Sequence, residues 1–221
     1  GWHRVLTMRQ LGFTGEGYTI SSLVYEGLTV PEEAALFTHF NGDRRNTSIF
    51  DLYRASVIAE NPLYVEVQGV LDKHGVKVGP SAAKRTVRAT KMILSVADNY
   101  GSDLLDEGIS IALEAWPDDR EALGRNVLEA LMLIVYRLGD HPNYKRSHLV
   151  KRLQRESKGA LTPRNVADFG DAIRKEGRGT YLAAEAHGMA ILRLYNMRLP
   201  ADRKLPVDGV AGGWKAKAKE A

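Results

Sequence analysis

Apolar residues recur at three- and four-residue steps along most of this chain, and the residues between those runs are the ones that start and stop helices. Val5, Met8 and Leu11 predict a helix over 3–11 that stops at Gly12. After the Gly15-Glu16-Gly17 turn the pattern changes: Tyr18, Ile20 and Leu23 alternate, which predicts a strand over 18–25. Thr29-Val30-Pro31-Glu32-Glu33 opens the next helix, with proline in its first turn and acids at the positive end of its dipole. Ala34, Leu36, Phe37 and Phe40 follow, and Asn41-Gly42 ends it. Thr47-Ser48 caps a helix over 49–60, and Asn61-Pro62 starts another that runs to Lys73. His74-Gly75 closes that helix, 76–78 reads as a short extended piece, and Gly79-Pro80-Ser81 reads as a linker.

Beyond it the spacing predicts helices alone, over 83–99, 102–115, 120–138, 147–156, 162–177 and 180–197. Past Ala201 the Pro, Gly and alternating Ala/Lys composition predicts a flexible basic tail, 201–221. The fold class is therefore mostly α: a partial α/β piece over 1–46, then an all-α domain over 47–200. One strand cannot make a sheet, so the α/β piece reads as the C-terminal part of a domain whose other strands lie upstream.

Composition narrows the classes. The 221 residues are 44% hydrophobic and include no cysteine, which excludes disulfides, cysteine nucleophiles and cysteine metal sites. No apolar run approaches the ~20 residues of a membrane span, so no membrane partner and a cytoplasmic location are expected. The formal net charge of +4 is a mild bias toward polyanions. The cations are clustered: Lys145-Arg146, Lys151-Arg152-Arg155, Arg174-Lys175-Arg178 and Lys215, Lys217, Lys219. Such clusters can neutralise phosphates, while the plainer reading is solvated helix faces and a loose tail.

Two constellations can carry chemistry. Gly1-Trp2-His3-Arg4 puts a glycine before a predicted helix start, where backbone N–H groups receive anions. His3 there is a proton switch and Arg4 a bidentate phosphate clamp. Phe40-Asn41-Gly42-Asp43-Arg44-Arg45-Asn46 packs two arginines and two asparagines into one turn. A weaker candidate is a helix-turn-helix over 65–92, with Lys84, Arg85, Arg88 and Lys91 on the second helix. The same residues also read as an amphipathic packing helix with Val87, Met92 and Leu94 inward. No metal ligand set is read from the spacing.

The stretch from Gly1 to Gly12 resembles the phosphate-binding box of the ParB/sulfiredoxin-like superfamily, in its Asp-Gly-x-His-Arg form, at Gly1, His3 and Arg4. Downstream, Phe40-Asn41-Gly42-Asp43-Arg44 falls where partition proteins carry Glu-Asn-x-x-Arg. The similarity extends to ParB-like proteins of phages and actinobacteria and covers most of residues 1–200. It implies a nucleotide- or phosphate-binding site at Gly1, His3, Arg4, Asn41, Arg44 and Arg45, a nucleotide with Mg²⁺ as cofactor, and DNA as partner. Leu6, Thr7 and Phe40 depart from the partition pattern, and a phenyl ring ligates no metal. That shifts the expectation from hydrolysis toward binding.

The leading expectation is a ParB-like DNA-associated protein of phage or mobile-element origin, with Lys84, Arg85, Arg88, Lys91, Lys151, Arg152 and Arg155 as nucleic-acid contacts. Two alternatives remain open: a ParB-type nuclease or nucleotidase with His3 as the catalytic acid/base, and a non-catalytic homo-oligomeric scaffold.

Overall fold

The computed structural model describes residues 10–12, 24–41, 48–156, 162–177 and 181–214, without the side chains of 155 and 156. Among them run the helices α1 (Val30–Asn41), α2 (Ile49–Ile58), α3 (Pro62–Lys73), α4 (Thr90–Tyr100), α5 (Ser102–Ala115), α6 (Arg125–Leu138), α7 (Arg146–Glu156), α8 (Pro163–Glu176) and α9 (Ala183–Asn196). A two-residue pair, β1 (Lys77–Val78) and β2 (Thr86–Val87), and two 3₁₀ turns (Ala201–Arg203, Val207–Val210) complete the described elements. The protein is mostly helical, and no described helix is long and apolar enough to cross a membrane. Residues 3–9 of the helix expected over 3–11, and most of the strand expected over 18–25, lie outside the described residues. Gln10 is helical and Gly12 takes φ +80°, which agrees with a stop at that glycine.

Helix starts follow local chemistry. Ser48 Oγ accepts the Phe50 N–H at 3.2 Å and opens α2. Asn61-Pro62 opens α3, and Thr162 Oγ1 accepts the Asn165 N–H at 3.2 Å to open α8 with Pro163 in the first turn. Glu185 accepts the Leu182 N–H at 2.7 Å at the head of α9. Gly101, at φ +90°, makes the tight turn between α4 and α5 that a side chain would strain.

The core is built around α6. Leu128, Ala130, Leu131, Met132, Leu133 and Ile134 are all fully buried, so this helix is enclosed on nearly every side. It packs on α5 and α9, and α9 packs in turn on α8 and α7. Helices α3, α4 and α5 follow one another against the same cluster, while α1 leans on α2. Two glycines allow the closest crossings. A Cβ on Gly108 of α5 would lie 2.3 Å from Met132 Cγ, and one on Gly170 of α8 would lie 2.4 Å from His187 Cδ2 of α9.

Four expectations need correction. The helix expected over 83–99 begins only at Thr90. Thr86-Val87 instead pairs in parallel with Lys77-Val78, because fully buried Val87 joins the core and Arg85 at φ +53° breaks any helix. Gly79-Pro80-Ser81 is no linker between domains: Gly79 is buried and its N–H donates to Val87 O at 3.1 Å. The helix expected from 120 starts at Arg125, since Ala122 and Leu123 bury themselves in a turn closed by Gly124 N–H to Glu121 O at 2.8 Å. The tail expected from 201 is packed as far as Trp214. Leu205 and Val210 are buried, Asn196 exchanges two hydrogen bonds with the Leu205 backbone (2.7 and 2.8 Å), and Arg137 reaches Gly209 O at 3.2 Å. Lys215, Lys217 and Lys219 lie outside the described residues.

Candidate functional site

Of the residues expected to bind phosphate, Asn41 alone is described. It is the last residue of α1, and its Nδ2 donates to Phe37 O at 2.8 Å, one turn back. That bond fixes the carboxamide against the last turn of α1. Phe40 beside it is about half exposed, with the His39 ring 5.4 Å away edge-on and Tyr25 at 6.3 Å. Gly1, His3, Arg4, Arg44 and Arg45 lie outside the described residues.

The four cations of the helix-turn-helix candidate do not share a helix, since only Lys91 stands on α4. Lys84 Nζ meets Asp118 at 2.9 Å, Arg85 Nη1 donates to His74 O at 2.7 Å, and Arg88 Nη2 meets Glu121 at 3.1 Å. The helix-turn-helix geometry is therefore absent at 65–92: the strand pair stands where the second helix was expected. On α7, Lys151 is exposed, while Arg152 is turned inward, with Nε 3.3 Å from His148 Nε2 and Nη2 on Met197 O. The Arg155 side chain lies outside the described residues. Arg146 is tied down as well, by Glu107 at 2.8 Å, Glu114 at 2.7 Å and Ser110 at 2.8 Å, and so serves to hold α7 on α5.

The tyrosines and His74 that ionise or pair are structural. Burial, with Asp72 and Tyr64 nearby, pushes the Tyr53 phenol up to about 12, and its hydroxyl donates to Gln68 at 3.1 Å across α2 and α3. Burial likewise raises Tyr144. Asp106 accepts from Lys73 at 2.7 Å and pairs with His74 Nε2 at 2.7 Å. The Lys73 hydrogen bond first, with His74 behind it, holds this carboxyl below its ordinary range. His74, read from sequence as a helix cap, is indeed the residue that closes α3. Among the described residues no cluster of three histidines or carboxylates can hold a metal ion.

Sequence reasoning missed the basic groove around the start of α6. A cleft of about 460 Å³ is lined by Arg88, Glu121, Arg125, Asn126, Pro163 and Arg164. Two further clefts share Arg125 as a wall. One reaches Lys91 and Asn99, the other Leu182 and Glu185, and both end on Trp214. Trp214 is set by Tyr100, whose hydroxyl donates to its carbonyl at 2.7 Å and whose ring lies 4.8 Å from the indole. A signal was available in the sequence. Both α6 and α8 carry Arg-Asn in the first turn (Arg125-Asn126 and Arg164-Asn165) with no acid there, the reverse of what a helix dipole favours.

The architecture thus defines a helical protein with a central buried helix and a cation-lined groove at that helix's head. The chain belongs to the family described as "Family of unknown function (DUF6551)", whose model matches residues 1–181. No curated protein and no solved structure matches it.

Proposed function

We propose that this chain is a DNA-associated protein of ParB-like ancestry whose N-terminal site holds phosphate through Gly1, His3, Arg4, Asn41, Arg44 and Arg45. The observation that carries the reading is the order of the two motifs: a Gly-x-His-Arg box, then an Asn-x-x-Arg turn, with a helix between them. That helix is α1, and it delivers Asn41 at its C-terminal end with the side chain braced on Phe37 O. Both motifs fall within the residues matched by the family model.

The chemistry is that of anion capture. Arginine offers a planar fork of donors to phosphate oxygens, and an asparagine amide adds a neutral donor and acceptor beside it. Phe40 falls where the partition proteins this stretch resembles carry a glutamate, which favours binding over hydrolysis at this site.

Fluorescence anisotropy of a labelled duplex across a salt series tests the reading. The logarithm of the association constant falls linearly with the logarithm of salt, by about 0.9 per phosphate neutralised. A chain that fails to bind duplex even at low salt refutes the proposal.

A further inference from the structure

The N-terminal motifs leave the basic groove unexplained. Arg88 comes from the segment after β2, Arg125 from α6 and Arg164 from α8, so three separate elements bring a guanidinium to one cleft. Glu121 is the carboxylate that lines the same cleft. Two of the arginines have ion-pair partners, Arg88 with Glu121 at 3.1 Å and Arg125 with Glu129 at 3.4 Å. These pairs are exposed on the arginine side, and exposed pairs are weak enough to exchange for a phosphate. Arg164 is exposed, and no ion-pair partner for it stands among the described residues.

The placement of these cations costs stability within the fold. Arg125 and Arg164 stand in the first turns of 14-residue helices, where the dipole opposes positive charge. Gly124, the N-cap of α6, has no side chain to accept the first-turn N–H groups. A bound anion removes both penalties at once. The clefts that share Arg125 add Lys91 along one flank, with Glu129 lining both, and lead to Trp214. Three arginines and Lys91 are more cations than a single phosphate needs and suit a strand of them.

We infer that this groove, walled by Arg88, Arg125 and Arg164, seats the sugar-phosphate backbone of duplex DNA as a second contact surface, separate from the N-terminal site. The inference rests on the DNA-binding reading above and names where the helical body takes part in it. Contacts of this kind position a duplex without reading its sequence.

The test uses the full chain and a labelled duplex in a salt series, with Arg125→Gln/Arg164→Gln, Glu121→Gln and, as a charge control, Arg203→Gln on the first 3₁₀ turn. The double variant loses on the order of tenfold in affinity per guanidinium, and its salt slope falls by roughly two. Glu121→Gln, which releases Arg88 and removes a negative charge, binds more tightly than the parent. Arg203→Gln changes neither affinity nor slope. If the parent binds while both groove variants match it, the groove assignment is wrong and the N-terminal reading survives. A control variant that weakens binding as much as the double variant also overturns the groove, since net charge alone then explains the effect. If the parent does not bind at all, both proposals fall. Glu121→Gln decides the matter even if the double variant does not fold.

Discussion

Replacing Gly170 by alanine puts the packing of α8 on α9 to a sharp test, because two effects of opposite sign compete. Alanine favours a helix over glycine by about 1 kcal/mol, so on propensity alone the substitution stabilises. The structure says the opposite. The new methyl carbon would stand 2.4 Å from His187 Cδ2, 2.7 Å from Cγ and 2.9 Å from the His187 Cα. The ring cannot swing aside: it is fully buried and its Nδ1 is held on Ala183 O. The third contact is backbone, so α8 and α9 must separate. Overpacking of this kind costs about 1–3 kcal/mol, and the backbone clash places it at the upper end, leaving a net loss of about 2 kcal/mol. For a chain of this size that lowers Tm by about 4–8 °C.

Gly69 of α3 supplies the comparison. A Cβ there meets nothing within 4 Å, so Gly69→Ala stabilises by up to about 1 kcal/mol. Thermal and urea unfolding followed by far-UV circular dichroism reads both. Variants that shift in the same direction, or a Gly170→Ala protein as stable as its parent, would refute the packing argument. The outcome reaches the groove too, since α8 carries Arg164, and a displaced α8 moves one of its walls.

Other consequences are as direct. Asn196→Ala strips partners from the buried Leu205 N–H and C=O, costing about 3 kcal/mol in urea unfolding, and it speeds tryptic cleavage at Arg203 and Lys204. Asp106→Asn probes acid sensitivity. Because Lys73 and His74 depress the folded carboxyl, its contribution is present above about pH 4, the unfolded value, and is lost as pH falls through the lower folded value. The parent therefore exceeds the variant in stability at neutral pH, and the gap closes as the solution is acidified. A gap that widens in acid would contradict the assignment. Tyr53→Phe removes the hydrogen bond to Gln68 and costs about 1 kcal/mol by the same unfolding assay, with the helices unchanged by circular dichroism.

Where caps and prolines punctuate a periodic run, the elements were legible from the sequence. Helix α5 spans Ser102–Ala115 as its spacing predicts, α3 follows Asn61-Pro62 to Lys73, and α8 starts behind Thr162 at Pro163. Elsewhere tertiary burial overrode local pattern. Thr86-Val87 sits in a run whose pattern reads as helix, yet Val87 enters the core as a strand residue paired with Val78. Residues 201–214 have the composition of a loose tail, yet buried Leu205 and Val210, the Asn196 clamp, and hydrogen bonds from Arg137 and Tyr100 hold them on the body.

The candidate site was legible in part. The N-terminal motifs stand out because rare residue types follow a known order. The groove does not, because Arg88, Arg125 and Arg164 lie 76 positions apart from first to last and meet only through the fold. Its local traces are Arg88, already among the expected nucleic-acid contacts, and an arginine in the first turn of each of two helices.

The proposed phosphate site is tested most directly by the double variant Arg4→Ala/Arg44→Ala, compared with the parent for binding to two unrelated duplexes across a salt series. The account predicts that affinity falls alike for both duplexes, and that the salt slope drops by about two phosphate equivalents. Unchanged affinity and slope in a folded double variant would contradict it.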